Sequence, residues 1–382
     1  MIASGVMGYI YPEIDQAKCI DCCLCEKTCP VNHPIPELNT PLRAFAAISK
    51  DQEDLMSSTS GAASSVFVQS ILKQGGIVYG CIQNNYKDIS HRRIANIDEA
   101  YLLKGSKYVQ SNIDLVYRSV KEDLRHGLKV LFTGTPCQIA GLRKYLRVAY
   151  DNLYLVDLVC HGVPSQRLLQ ENVQEILHNE NALPYVKFRT KGAVKEDLKF
   201  GVFIENSNIP LKKQIFPYNN YITAFMAGII FRKNCFSCAY AQSKRVSDVT
   251  IADFWGLEKT SSIPSDRGVS LMLVNSDKGL DLVKSISDFC ILEERPVNEA
   301  ILGNGQLQKP SAEPTNRDAF IDLYSENKKL AYATYLRKYR KEALRKQRKV
   351  KFLRFLQKYK FIYKLLMLVN NHIKVILNNI VQ

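Results

Sequence analysis

Residues 129–159 read KVLFTGTPCQIAGLRKYLRVAYDNLYLVDLV, and the fold turns on them. Lys129-Val-Leu-Phe-Thr133 is an apolar run of strand length that breaks at Gly134-Thr-Pro136. The chain resumes as a helical pattern, Gln138–Leu146, and then as a second apolar run, Leu153–Val159. Gly162 and Pro164 close that run before an amphipathic helix near Arg167–Leu177. Strand, helix, strand and helix in succession predict neighbouring parallel strands. Upstream, Ser57-Ser-Thr-Ser-Gly61 precedes apolar Val66, Phe67, Ile71 and Leu72 and a Gly75-Gly76 stop. This reads as a Ser-capped helix of about 12 residues, followed by a short strand, Ile77–Tyr79. Downstream the pattern changes. Val186–Phe188 and Gly201–Ile204 suggest antiparallel strands, Val249–Ala252 and Val269–Val274 two more, and 304–317 a surface loop. The expected class is α+β, an α/β-like parallel core with an antiparallel portion.

The chain has 382 residues, 52 Lys+Arg and 37 Asp+Glu, a formal charge of +15. Residues 327–382 hold 16 Lys+Arg and one acid, Glu342, so the whole excess lies there and residues 1–326 are neutral. A uniformly basic nucleic-acid-binding body is excluded, and nucleic acid is not an expected partner of it. At 46% hydrophobic and 23% charged, the body is ordinary soluble protein, long enough for two or more domains. Met1–Ile14 lacks the pattern of a signal peptide. No run of about 18 apolar residues occurs. The expected location is cytoplasmic, where thiols stay reduced.

In the tail, Leu353, Leu356, Ile362, Leu365, Leu366, Val369, Ile373 and Ile376 give an apolar side with Lys and Arg elsewhere. That is the pattern of a basic amphipathic helix lying on an anionic membrane, here the inner face of the cell membrane. A partner-binding helix and an RNA-binding tail share it.

Eleven cysteines in a reducing compartment point to metal or redox work. Cys19-x2-Cys22-x2-Cys25-x3-Cys29-Pro30 is the ferredoxin run, whose thiolates hold a 4Fe-4S cluster inside a loop of backbone N–H groups. A zinc knuckle is the other reading. In two-cluster ferredoxins the fourth cysteine of such a run ligates the other cluster, and here one run stands alone. The preceding Gly8–Asp15 resembles the connector between two runs, so residues 1–40 read as half a ferredoxin-like 4Fe-4S domain. Sequence upstream, a borrowed ligand or an incomplete cluster would each account for that. Cys23 is an extra thiol, awkwardly adjacent to Cys22 for a ligand.

Cys137, Cys160, Cys235 and Cys238 form a second, dispersed set. Cys137 and Cys160 each follow a strand, so parallel pairing brings both to the carboxyl edge of the sheet, where open α/β sheets place ligands. Cys235-x2-Cys238 supplies a chelating pair. Spacing alone leaves a 4Fe-4S cluster, zinc, a redox disulfide and unrelated buried thiols open. Cys81 and Cys290 sit in apolar surroundings and read as core.

Four segments then converge. Lys104-Gly-Ser-Lys-Tyr-Val-Gln110, Phe132-Thr-Gly-Thr-Pro-Cys-Gln138, Val156-Asp-Leu-Val-Cys-His-Gly-Val-Pro164 and Arg245-Val-Ser-Asp-Val-Thr-Ile-Ala-Asp-Phe-Trp-Gly256 resemble the coenzyme F420 hydrogenase/dehydrogenase beta-subunit family. The ferredoxin-type segment resembles its bacterial branch. The resemblance implies FAD on an α+β body and favours a 4Fe-4S cluster on the second cysteine set. It implies that Ser60-Gly61, Lys104-Gly105-Ser106-Lys107-Tyr108 and Thr133-Gly134-Thr135 face the flavin. The family includes enzymes acting on the deazaflavin coenzyme F420, a chlorophyll-pathway reductase, and bacterial members encoded near polysaccharide genes. The substrate therefore stays open, and surface polysaccharide biosynthesis is one implied role. The loop that often reads Ser-Gly-Gly is here Ser60-Gly61-Ala62, which narrows any space kept for a close backbone approach.

His161, beside Cys160, is the candidate catalytic residue, relaying a proton to reduced flavin; a structural histidine is the competing reading. Lys104 and Lys107 are candidates to neutralise a pyrophosphate, with solvated lysines as the alternative. Asp248 and Asp253 read as turn-fixing carboxylates before Trp255, and Arg232 and Arg245 bracket the Cys pair. Four segments are expected: 1–40; 41–165 and 166–326 as the two parts of the flavin-binding body; and the basic helical tail 327–382. The expected function is an iron-sulfur flavoprotein oxidoreductase that exchanges electrons with a redox protein such as a ferredoxin and acts on a small-molecule substrate. An electron-transfer subunit of a larger complex and a non-catalytic metal-stabilised scaffold are the rivals.

Overall fold

The computed structural model describes residues 2–178, 182–191, 199–206, 209–258 and 260–358. In chain order its elements are β1 (Ile2–Ser4), β2 (Tyr9–Tyr11), α1 (Leu24–Thr28), β3 (Arg43–Ser49), α2 (Gln52–Ser57), α3 (Ala63–Lys73), β4 (Ile77–Asn85) and β5 (Asp88–Ile94). There follow α4 (Val116–Arg125), β6 (Val130–Gly134), α5 (Pro136–Leu146), β7 (Leu153–Leu158), α6 (Gln166–Leu177), β8 (Tyr185–Thr190), β9 (Lys199–Asn206), β10 (Ile209–Ile215) and α7 (Asn220–Met226). The last are β11 (Val249–Asp253), β12 (Ser270–Val274), α8 (Asp277–Lys284), β13 (Cys290–Arg295), α9 (Val297–Gly303), α10 (Arg317–Glu326) and α11 (Lys328–Lys358).

Eight strands form one sheet in the order β13-β3-β12-β11-β7-β6-β4-β5. The central links β11–β7, β7–β6 and β6–β4 are parallel; the flanking ones are antiparallel. The architecture is α+β, as the strand–helix succession at 129–177 predicts. Because helices cover both faces, the central strands read as unbroken apolar runs rather than alternating ones. Leu131, Val156 and Val249 pack with α3 on one side, while Val130, Phe132 and Leu155 pack with α4 and α5 on the other. Thr135 and Gln138 start α5 as a reciprocal capping box with Pro136 at its first turn.

A second sheet, β10-β9-β8, is antiparallel, as expected for 183–220. Its β8 and β9 share a core with α6, α7 and α10. The basic tail is rooted in the body: Ala331, Tyr332 and Leu336 of α11 are buried in that core, and Tyr339 Oη donates to the Met226 carbonyl at 3.0 Å. Beyond Ala343 the side chains of Val350 and Phe352 are exposed. Leu353 and Leu356 have no described side chain, and Ile362, Leu365, Leu366, Val369, Ile373 and Ile376 lie outside the described residues. The stretch 304–317 is likewise more than a surface loop, since Asn304, Leu307 and Arg317 are buried along it. Among the described residues no helix is long and apolar enough to cross a membrane.

The β1–β2 hairpin is stitched to the second core. Met7 and Tyr9 are buried there, Tyr9 Oη donates toward the Ile230 and Phe231 carbonyls at 3.0 and 2.9 Å, and Ser165 Oγ donates to the Met7 carbonyl at 2.5 Å.

Candidate functional site

Strand register sets the site. Gly134 of β6 pairs with Asp157 of β7, and Leu158 of β7 pairs with Ile251 of β11. Three parallel strands thus end side by side. What leaves them, Thr135, Cys160–Val163 and the stretch with Asp253 and Trp255, lines a cavity of about 320 Å³. This is the carboxyl edge of a parallel sheet, and the volume is in the range of small-molecule sites.

Ser60, Lys104, Gly105, Ser106, Lys107, Tyr108, Thr133, Gly134, Thr135 and His161 all line this cavity. Gly61 does not. A Cβ there would meet the Ala47 carbonyl oxygen at 2.1 Å and the Ser270 N at 2.6 Å, so the missing side chain lets the start of α3 press against β3 and β12. The helix is also not Ser-capped: Ala62 is the N-cap, with φ +70 and no side-chain cap. The two neighbours make opposite predictions. Gly61→Ala is expected to destabilise by about 3 kcal/mol through backbone overpacking. Ala62→Gly is expected to stabilise by up to about 1 kcal/mol by relieving left-handed strain. Urea-unfolding midpoints of the two variants check both signs.

Both candidate lysines are engaged by the protein itself. Lys104 Nζ lies 2.8 Å from Asp54 Oδ1 and 2.8 Å from Ser57 Oγ. Lys107 Nζ donates to the Leu102, Leu103 and Lys104 carbonyls at 3.3, 3.2 and 2.9 Å, closing the 3-10 turn Ile97–Leu103. Burial holds the Lys107 ammonium below its ordinary pKa. The Tyr108 ring sits among Phe225, Phe188 and Phe200, at centroid distances of 4.8, 5.6 and 6.3 Å. Desolvation holds His161 below its usual pKa, and its carbonyl accepts from Ser311 Oγ at 2.6 Å.

Several lining residues escaped sequence reasoning. His91 is buried and lowered to about 4 by desolvation. One of its ring nitrogens faces the Thr133 carbonyl at 3.0 Å, which can only accept, so Nε2 carries the proton and Nδ1 accepts from Ser111 Oγ at 2.9 Å. Ser111 Oγ accepts from Gln138 Nε2 at 2.9 Å, and Gln138 Oε1 accepts from the Thr135 N–H at 2.9 Å. The result is a directed polar chain behind the cavity wall. Its one sequence signal is the capping-box spacing of Thr135 and Gln138. Arg189 pairs with Asp253 at 2.7 Å, and Trp255 stands 53% exposed at the cavity wall. Asp248 is structural, accepting from the Leu155 N–H at 2.8 Å and from Ser276 Oγ at 2.7 Å. Cys81 also lines the cavity, and burial pushes its thiol up against the smaller opposing pull of Lys107 and Ser111.

Cys137, Cys160, Cys235 and Cys238 converge beside the cavity. Each of the six pairs among these thiols interacts electrostatically. Burial pushes the Cys160 and Cys238 thiols up and Cys235 to about 11, and the neighbouring thiols push further. Cys160, Cys235 and Cys238, which resist ionisation, together with Cys137 form a donor set that a cationic metal cluster can deprotonate and hold. Among the described residues no group of His, Cys, Asp or Glu is closed down onto a single metal ion. The loop carrying the Cys pair is fixed by Arg245, which is 2% exposed. Its guanidinium donates to the Tyr240 and Gln242 carbonyls at 3.0 and 3.1 Å and to Asp157 Oδ2 at 3.0 Å. Arg232 stacks on the Tyr11 ring at 4.3 Å. In the N-terminal run Cys19, Cys22, Cys23 and Cys25 are exposed and Cys29 is half-buried.

Residues 127–300 match the family model for the carboxyl-terminal part of the coenzyme F420 hydrogenase/dehydrogenase beta subunit. No curated protein matches the chain. A chain in the xenon-derivatised F420-reducing NiFe hydrogenase complex from Methanosarcina barkeri is similar at 18% identity and a TM-score of 0.48, over 73% of this chain and 98% of that one. The likeness to the coenzyme F420 hydrogenase/dehydrogenase beta subunit thus lies in residues 127–300, the stretch that holds β6, β7, β11 and the four dispersed cysteines.

Proposed function

We propose that this chain is an iron-sulfur flavoprotein electron-transfer subunit, whose carboxyl-edge cavity would hold a flavin and whose Cys137, Cys160, Cys235 and Cys238 would hold a 4Fe-4S cluster beside it. The observation that carries the reading is the contiguity of the two sites, since Cys160 belongs to both the thiol group and the cavity wall. The flavin, when bound, would supply the conversion between one-electron and two-electron chemistry. This chain's own residues would bind and orient it. Thr135 and the Gly105–Ser106 turn offer donors, and the half-exposed Trp255 and Leu158 offer apolar contact for a planar ring. Lys104 and Lys107, already paired, fix the loop instead of meeting a phosphate. His161, beside Cys160 on the cavity wall, is placed to accept a proton as charge accumulates. The run Cys19–Cys29 would hold a second cluster, through which a ferredoxin-like partner reaches the first.

Anaerobic purification followed by iron, sulfide and flavin quantification tests this. Iron with matching sulfide is expected, and FAD added to flavin-depleted protein should quench the emission of Trp255, the single tryptophan. Colourless protein with stoichiometric zinc and an unquenched tryptophan would sink the reading.

A further inference from the structure

Between the N-terminal cysteine run and the four-thiol group stands one buried side chain. Tyr240 is 3% exposed, and its Oη donates to the Pro30 carbonyl at 2.9 Å, the residue directly after Cys29. The same oxygen accepts from the Ile35 N–H at 3.4 Å. The ring packs in the core cluster that Ile35, Leu38, Cys137 and Cys238 border. Cys137, Cys238 and Cys29 all act electrostatically on its phenol, so thiols of both groups lie around one ring. The segment after Pro30 is pinned a second time by the same loop: Asn39 and Arg245 exchange backbone hydrogen bonds of 2.8 Å each way. Residues 30–39 thus form a strap held at both ends by the 240–245 loop, which follows directly on Cys238.

We propose that Tyr240 is the positioning residue that couples the cysteine run to the four-thiol site, holding Cys29 against Cys137 and Cys238 through its hydrogen bond to the Pro30 carbonyl. The phenol O–H is the side-chain group that meets the carbonyl next to Cys29, and the ring alone would pack equally well as phenylalanine. The role rests on the two-site reading above, but its geometry concerns only this chain's residues.

Tyr240→Phe removes the crossing hydrogen bond and keeps the ring. In metal-depleted, reduced full-length protein, mass-spectrometric alkylation of Cys29 is expected to run about fivefold faster in Tyr240→Phe, the value of one lost hydrogen bond. Cys19 and Cys22, already exposed, should react at unchanged rates. In metal-loaded protein the iron content should be unchanged, while magnetic coupling between the two reduced centres in electron paramagnetic resonance should weaken. Tyr339→Phe, which loses a hydrogen bond on the far side of the second core, serves as control and should alter neither readout. Equal Cys29 labelling in Tyr240→Phe and wild type overturns the proposal. So does labelling that rises uniformly at every cysteine, which is the signature of general loosening. Wild-type protein that binds no iron would defeat the functional reading while leaving the labelling result to decide the role of Tyr240.

Discussion

Cys160→Ala is expected to strip the iron of the four-thiol site and the absorbance near 400 nm that belongs to it, while iron on the N-terminal run remains. Cys160 interacts with all three other thiols and also lines the cavity, so no other single thiol joins the two sites. A buried alanine leaves Cys137, Cys235 and Cys238, of which burial pushes the last two thiols up, and cluster assembly must deprotonate every ligand. Cys290→Ala is the matched control: that thiol is buried at the start of β13, far along the sheet order from β7. Iron and sulfide measured on both variants decide the matter. Equal loss from the two, or none from Cys160→Ala, would remove the four-thiol assignment.

Arg245→Met should be the most destabilising single substitution outside the glycines. Arg245 and Asp157 are 1% and 0% exposed in their side chains, and they meet at 3.0 Å. Removing one partner strands a buried carboxylate, which costs about 3–5 kcal/mol. The same change releases the Tyr240 and Gln242 carbonyls, so the loop bearing Cys235 and Cys238 should loosen with it. The double variant Arg245→Met, Asp157→Leu should recover a large part of the loss, because it removes the stranded charge. Urea-unfolding curves of the single and double variants check this. A double variant no better than the single would mean that the carbonyl contacts, and not the ion pair, hold the region.

The central sheet was legible because its strands are apolar on both faces and its breaks are marked by glycine and proline. Lys129–Val159 alone gives β6, α5 and β7 within a residue or two. The position of Cys137 and Cys160 at one edge followed from the same pattern. Strand β3 was not legible, since Ala44, Ala46 and Ala47 carry no β signature and it pairs with β12 and β13 from the far end of the chain. In the cavity, loops with turn chemistry were readable, whereas His91, Ser111 and Arg189 were not. They stand on or near β5 and β8, and reach the site only through long-range pairing. The protein's own contacts to the two lysines were hidden for a related reason. A lysine beside glycine looks available in sequence, yet Asp54 and a set of carbonyls, placed by the fold, already occupy both ammoniums. The rooting of α11 in the body was not legible because charge counting cannot see Tyr332 and Leu336 turning inward.

The hairpin at Tyr9 and the strap at Asn39 have a joint thermodynamic consequence. The cysteine run is not a free chain end but a loop whose two ends are already closed onto the body. Loop closure is an entropy cost that grows slowly with length, and here folding meets it before any ion arrives. Metal capture by Cys19, Cys22, Cys25 and Cys29 then has to order only the interior of that loop. The affinity of these exposed thiols is therefore tied to the stability of the body, and any variant that melts the hairpin should weaken iron retention without touching a ligand.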